Sequence, residues 1–168
     1  MLFRSIKQLI QQKDLTESEI ENALKELTLR GLIQTDDGFF FLNHNAASVM
    51  RRREGEIAAA GAFITAKRFS RIISNFPFVR AVAISGSLSK NYIDDSSDID
   101  YFIITSQGRM WVARTLLVLY KKIFLFNSHK NFCVNYFLSE DSLLVPDRNI
   151  FTATEISFLV PTYNYTLY

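Results

Sequence analysis

Two aspartates one residue apart, Asp98 and Asp100, open an apolar run that continues Tyr101-Phe102-Ile103-Ile104-Thr105. Side chains alternate along a strand, so this spacing predicts both carboxylates on one face. Like charges side by side repel. A divalent cation between them reverses that, and carboxylate oxygens suit Mg2+ or Mn2+. Upstream, a first apolar run, Val82-Ala83-Ile84, ends in Ser85-Gly86-Ser87. Gly86 lets a backbone approach a ligand with no Cβ in the way. Ser87 is predicted at a helix start, where free N–H groups and the helix dipole favour phosphate, and its hydroxyl adds a donor. Lys90 reaches either a phosphate or solvent, and Asn91 belongs to a residue type that tolerates left-handed backbone. Together these pieces place a triphosphate between a donor-rich turn and a metal. Attack on its α-phosphorus expels pyrophosphate, and the metal neutralises the charge that develops.

An apolar residue, Gly-Ser, a spacer and Asp-x-Asp within an apolar strand form a recognisable order: Ile84, Gly86-Ser87, Asp98-Ile99-Asp100-Tyr101. It resembles the signature of the nucleotidyltransferase superfamily (the polymerase-β-like fold). The segments Pro77–Val82, Arg109–Trp111 and Phe132–Phe137 are similar to a prokaryotic, uncharacterised subgroup with a winged-helix-like N-terminus. The resemblance covers roughly residues 50 to 160. It implies Mg2+-dependent transfer of a nucleotide from an NTP to an acceptor, which could be a protein side chain, an RNA end or a small molecule. Under it, Asp98 and Asp100 are catalytic and hold the metal, Gly86 and Ser87 hold the phosphates, and Lys90 and Asn91 support the turn. Two departures stand out. Asn91 replaces a glycine common in the family. On the next strand, where active members carry a third carboxylate, the polar residue is Asn135, whose amide is a weak metal ligand and a poor base. Glu140 and Asp141 are expected past that strand's end. Asn135 reads most simply as a buried, hydrogen-bonded strand residue.

Competing motifs fail on residue identity. Gly86-Ser-Leu-Ser-Lys-Asn lacks the Gly-Lys-Ser/Thr of a P-loop, and no Gly-x-Gly-x-x-Gly occurs. A calcium loop from Asp94 needs glycine where Ile99 stands and glutamate where Thr105 stands. His44 and His129 fall in polar loops without metal-ligand spacing. Cys133 reads as a small core residue. Trp111, Phe124 and Phe126 read as packing residues.

The elements that must position this chemistry follow from periodicity and capping. Leu2–Gln12 has helical spacing. Thr16 with Glu19 is a capping-box signature for a helix that buries Ile20, Ala23, Leu24 and Leu27 and ends at Gly31. Leu32-Ile33 and Phe39–Leu42 read as strands around an Asp37-Gly38 hairpin turn. These parts look like a winged-helix module over residues 1–45. The second part, 46–168, is expected to be nucleotidyltransferase-like. It holds a long helix, about Ala47–Ile73, burying Ile57, Ala60, Ile64, Phe69, Ile72 and Ile73. Strands follow at Phe78–Ser85, Ile99–Thr105 and Phe132–Leu138. Helices are expected at Leu88–Tyr92, Gly108–Phe126 and Ile150–Val160, the last capped by Thr152. The uncharged aromatic stretch from Pro161 to Tyr168 has no obvious element and looks like the edge of a truncated chain. The expected class is α+β: a mixed sheet with packed helices after a small N-terminal module.

The totals set outer bounds. A chain of 168 residues, 48% hydrophobic and 21% charged, buries a real core. A net charge of +2 does not argue for nucleic acid. One cysteine forbids an internal disulfide and fits a reducing cytoplasm. No apolar run is long enough for a bilayer, so no membrane partner is expected. Arg51-Arg52-Arg53 is a basic cluster, either a solvated helix face or a phosphate contact. The N-terminal module carries Glu17, Glu19, Glu21, Glu26 and Asp36-Asp37, which repel DNA phosphates, so it reads as structural or protein-binding. Two alternatives to the transferase remain. One is a catalytically weak or inactive nucleotide-binding regulator, which Asn135 favours. The other is a DNA-binding regulator acting through the N-terminal module.

Overall fold

A computed structural model describes residues 16–42, 46–145 and 147–167. The helix expected at Leu2–Gln12 and the junction at Asn43–Asn45 lie outside the described residues. The chain divides into two compact units, Met1–Glu54 and Gly55–Tyr168.

In the first unit, α1 spans Glu17–Leu29 and buries Ile20 and Leu24. Its start is the reciprocal box expected from Thr16 and Glu19. The Glu19 N–H donates to Thr16 Oγ1, and the Thr16 N–H donates to Glu19 Oε2 at 2.6 Å. At the other end Gly31 N–H donates to Thr28 O and Leu32 N–H to Leu27 O, each at 3.0 Å. This closure keeps Leu32-Ile33 out of the sheet. The strand therefore begins two residues later than the sequence suggests: β1 (Gln34–Asp36) pairs antiparallel with β2 (Phe39–Phe41). Asp37 and Gly38 both have positive φ, 46° and 79°, the pattern of a tight turn matched to strand twist. Arg53, one of the three clustered arginines, is ion-paired to Asp37 at that turn.

The helix α2 runs Ala46–Ser74. Its inward stripe differs from the one expected. Ile57 and Ile64 are exposed, at 78% and 59%, and Ala60 is exposed too. The core side carries Ala59, Ala62, Phe63, Ala66, Phe69 and Ile73. Small side chains at Ala59, Ala62 and Ala66 let the helix axis approach the sheet closely, which a row of isoleucines prevents. The Tyr101 hydroxyl donates to the Ala66 carbonyl at 3.2 Å and ties helix to strand.

The sheet holds β3 (Val79–Ser85), β4 (Asp100–Thr105), β5 (Cys133–Ser139) and β6 (Val160–Tyr163), in the order β5-β4-β3-β6. β4 is antiparallel to β3 and parallel to β5, and β6 is antiparallel to β3. The fold is α+β with a mixed four-stranded sheet and packed helices. The stretch from Pro161, in which no element is evident from the sequence, thus supplies most of β6. Pro161 is tolerated because β6 is an edge strand. Thr162 Oγ1 donates to Val82 O at 2.9 Å, and Asn164 Nδ2 to Arg80 O at 2.9 Å.

One sheet face, with Val82, Ile84, Tyr101, Ile103 and Phe137, packs against α2 and against α4 (Met110–Phe124) through Leu117. The opposite face carries Ala81, Ala83, Phe102, Ile104 and Leu138, with Leu159 against them. Trp111, Phe124 and Phe126 are not core residues. They are 67%, 64% and 93% exposed, with Arg114 over the Trp111 ring and Phe124 stacked on Tyr120. A four-residue α3 (Gly86–Ser89) follows β3, and α5 (Ile150–Ser157) precedes β6. The α5 cap is Asn149, whose Oδ1 accepts from Thr152 N at 2.8 Å, so Thr152 is the capped residue rather than the cap. Among the described residues no helix is long and apolar enough to cross a membrane.

Candidate functional site

The antiparallel register of β3 and β4 sets Ser85 opposite Asp100. The chain turns sharply after Ser85 because Gly86 takes φ +67°. A Cβ on Gly86 would lie 2.3 Å from Asp100 Oδ2 and 3.2 Å from its Cγ. Real Cβ atoms essentially never come so close. The absent side chain of Gly86 is therefore the space that the Asp100 carboxylate occupies. The short α3 then carries Ser87, which is exposed, and Leu88, which is fully buried in the main core. Asn91 is left-handed, φ 57°, and lets the chain turn out of α3 as its residue type suggests.

Asp98 does not lie on β4, which begins at Asp100. It sits in the loop entering the strand, and that loop is organised by Asp94. The Ser96 and Ser97 hydroxyls both donate to Asp94 Oδ1 at 2.7 Å, and Tyr92 donates to Oδ2 at 3.0 Å. These bonds pull the Asp94 carboxyl down to about 2. Ile99 N–H donates to Lys130 O at 2.9 Å, and Cys133 N–H to Ile99 O at 3.0 Å, so the loops before β4 and β5 are laced together.

Asp100 is opposite Cys133 in the parallel ladder, and the Cys133 side chain hydrogen-bonds the Asp100 carboxylate. Burial pushes the Asp100 carboxyl above its ordinary range. The Cys133 bond works against this, the Asp98 and Glu155 charges add to it, and Lys90 opposes it. Burial, then the bond to Asp100, then the charges of Asp100 and Asp98 push the Cys133 thiol up to about 12. Cys133 is thus a proton-bearing partner of Asp100 rather than only a small core residue.

Asn135 also departs from its expected role. It is exposed, and it shares a pocket with Asp100. The ladder explains this. Tyr101 is opposite Val134 but Phe102 is opposite Tyr136, so Asn135 is the extra residue of a bulge. Val134 and Phe137 pack on the helix side, while Tyr136 stacks on Phe102, with ring centroids 5.4 Å apart. The bulge keeps Asn135 and Tyr136 toward the Asp100 side of the sheet.

The pocket has a volume of about 470 Å³. Gly86, Asp100, Asn135, Asp147 and Glu155 supply much of its polar lining, and Phe102, Tyr136, Phe151, Ile156 and Leu159 its apolar side. The sequence marks Glu155 only as the third helical residue after the expected cap Thr152, with no part in the site. Glu155 comes from α5, and its Oε1 accepts from Lys90 Nζ at 2.6 Å. Lys90 also donates to the Gly86 carbonyl at 3.1 Å. Lys90 therefore ties the Gly86 turn to α5, a role different from a free phosphate contact or a solvated lysine. Gly86 and Asp100 of the expected residues line the pocket; Ser87, Lys90, Asn91 and Asp98 are outside its lining. His129 was expected to stand apart in a polar loop, yet its ring meets Asp98 and Cys133: one ligand atom from each of the three lies within 4.8 Å of the others.

Compared with protein-family models, with curated proteins and with solved structures, the chain finds no match.

Proposed function

We propose that the pocket beside Gly86 and Asp100 binds the Mg2+ complex of a nucleoside triphosphate, and that the protein transfers the nucleotide to an acceptor with release of pyrophosphate. The observation that carries the reading is the interlock of Gly86 and Asp100. A glycine turn without room for a side chain and a strand-borne carboxylate are fitted to each other in one pocket.

The residues fit Mg2+ on their chemistry. Asp98 and Asp100 offer hard carboxylate oxygens, and after burial the Asp98 charge adds to the rise of the Asp100 carboxyl. Asp98 and Asp100 would hold the ion, which supplies charge neutralisation for a triphosphate. The remaining roles belong to the chain's own groups. The Gly86 backbone approaches the phosphates closely, and Ser87 stands exposed in the next position for an outer phosphate. Tyr136, stacked on Phe102, gives the apolar side of the pocket an aromatic surface suited to a base. Glu155 and Asp147 are carboxylates in the pocket of a chain whose β5 offers Asn135 instead. Glu155 can accept the acceptor's proton once Lys90 lets go of it. The acceptor is a protein side chain, an RNA end or a small molecule.

A second reading, a nucleotide-binding regulator without turnover, is favoured by Asn135. Its amide faces the pocket in the strand from which a third metal-binding carboxylate is expected. Incubation with Mg2+ and each labelled NTP separates the two. Pyrophosphate release or self-labelling in the wild type, absent in Asp98→Asn/Asp100→Asn, supports the transferase. Binding without release leaves only the second reading.

A further inference from the structure

We infer that Asp98, His129 and Cys133 form a second metal site, selective for a borderline-soft divalent ion such as Zn2+, beside the pocket and outside its lining. A carboxylate oxygen, an imidazole nitrogen and a thiol sulfur meet within 4.8 Å of one another, on two loops and the first residue of β5. Mg2+ takes oxygen ligands, whereas a mixed O, N, S set is characteristic of Zn2+, with three protein ligands and an open fourth position. Ligand atoms around tetrahedral Zn2+ lie roughly 3.5 Å apart, so the three atoms draw in by about 1.3 Å at most.

Three backbone bonds hold the ligand loops ready. Ile99 N–H donates to Lys130 O, Cys133 N–H to Ile99 O, and Phe132 N–H to His129 O at 3.1 Å. Each carries a residue adjacent to, or identical with, a ligand. The corner also already holds a cation. Lys121 is buried, at 7% exposure, and its Nζ lies 3.4 Å from each ring nitrogen of His129. This ammonium stands beside the imidazole and its charge acts on the Cys133 thiol, ground that a metal ion takes. Zn2+ displaces this ammonium and binds the thiolate, and the thiol proton leaves to solvent. The binding claim stands apart from the nucleotide reading. One consequence rests on it: Asp98 belongs to both ligand sets, so Zn2+ opposes the Mg2+-dependent reaction.

Co2+ as a spectroscopic substitute tests the site in the 168-residue chain without nucleotide. A thiolate-to-metal charge-transfer band in the near ultraviolet is expected. It disappears in Cys133→Ser, and affinity falls more than about 10-fold in His129→Ala, a loss at least as large as an outer partner's removal brings. Lys121→Met, which removes the competing cation, tightens binding roughly 10-fold. No band at saturating Co2+, or an affinity unchanged by His129→Ala, overturns the site. Should Cys133→Ser not fold, the wild type decides. Cys133 is the sole cysteine, so stoichiometric Zn2+ must slow its reaction with a thiol reagent at least about 10-fold, the same scale of ligand protection. An unchanged rate refutes the proposal.

Discussion

Gly86→Ala has a cost that can be worked out in parts. The first is backbone: a side chain at φ +67° enters left-handed space, which costs about 1–2 kcal/mol. The second is Asp100. The new Cβ would stand 2.3 Å from Oδ2, and contacts under 3.0 Å do not occur, so the carboxylate must retreat by the difference, about 0.7 Å. Leaving its rotamer costs about 0.5–1.5 kcal/mol, and weakening the Cys133 hydrogen bond about 0.5–1 kcal/mol. The sum is roughly 2–4.5 kcal/mol, a fall in Tm of roughly 4–18 °C for a chain of this length. Gly108 provides the control. Its φ is +66°, and nothing lies within 4 Å of a Cβ added there. Gly108→Ala should therefore show only the backbone cost, about 1–2 kcal/mol. Urea denaturation of Gly86→Ala, Asp100→Ala and the double variant isolates the contact. A coupling of about 1–2.5 kcal/mol is expected, because removing Asp100 removes the collision. Coupling within about 0.4 kcal/mol of zero refutes the interlock. The same 0.7 Å retreat should lower Mg2+-dependent turnover toward 100-fold, since misplacement on the order of 1 Å costs about that much.

Other outcomes follow from the charges around the pocket. Asp100 has a raised carboxyl pKa, so the folded state holds its proton more tightly and the ionised group costs stability above pH 3.8. Asp100→Asn should melt higher than wild type at pH 7, with the advantage vanishing as pH falls below 3.8; equal melting at pH 7 contradicts this. Asp94 shows the opposite sign. Its carboxyl is held down at about 2, so its contribution is full above pH 3.8 and is lost as pH falls toward 2. Asp94→Ala should therefore destabilise at neutral pH but not near pH 2, as thermal melts across that range will show. Lys90→Met breaks the tie between the Gly86 turn and α5. It should cost about 0.5–1.5 kcal/mol in urea and speed amide exchange in α5, whereas unchanged exchange there argues against the tie.

Much of this architecture is legible in the chain. Ala81–Ile84 of β3 and Tyr101–Ile104 of β4 are continuous apolar runs, as befits strands covered on both faces. The α1 start is written in Thr16 and Glu19, and its end in Gly31. Other parts are hidden for physical reasons. α2 has apolar residues around much of its circumference, so isoleucines suggest one stripe while close packing uses alanines on another. Pro161 argues against a strand, and only its place at a sheet edge makes β6 acceptable. A bulge between Val134 and Tyr136 breaks the alternation that places Asn135, and no local signal announces it. Glu155 and His129 reach Asp100 and Asp98 through tertiary structure alone, because neither lies in a stretch whose spacing carries chemistry.

Nucleotide binding is tested most directly by calorimetric titration of the 168-residue chain with a non-hydrolysable NTP, with and without Mg2+. Saturable binding that requires Mg2+ is expected, and it weakens at least about 100-fold, or about 2.7 kcal/mol, in Asp98→Asn/Asp100→Asn. Binding of equal strength without Mg2+, or unaltered by the double substitution, would contradict it.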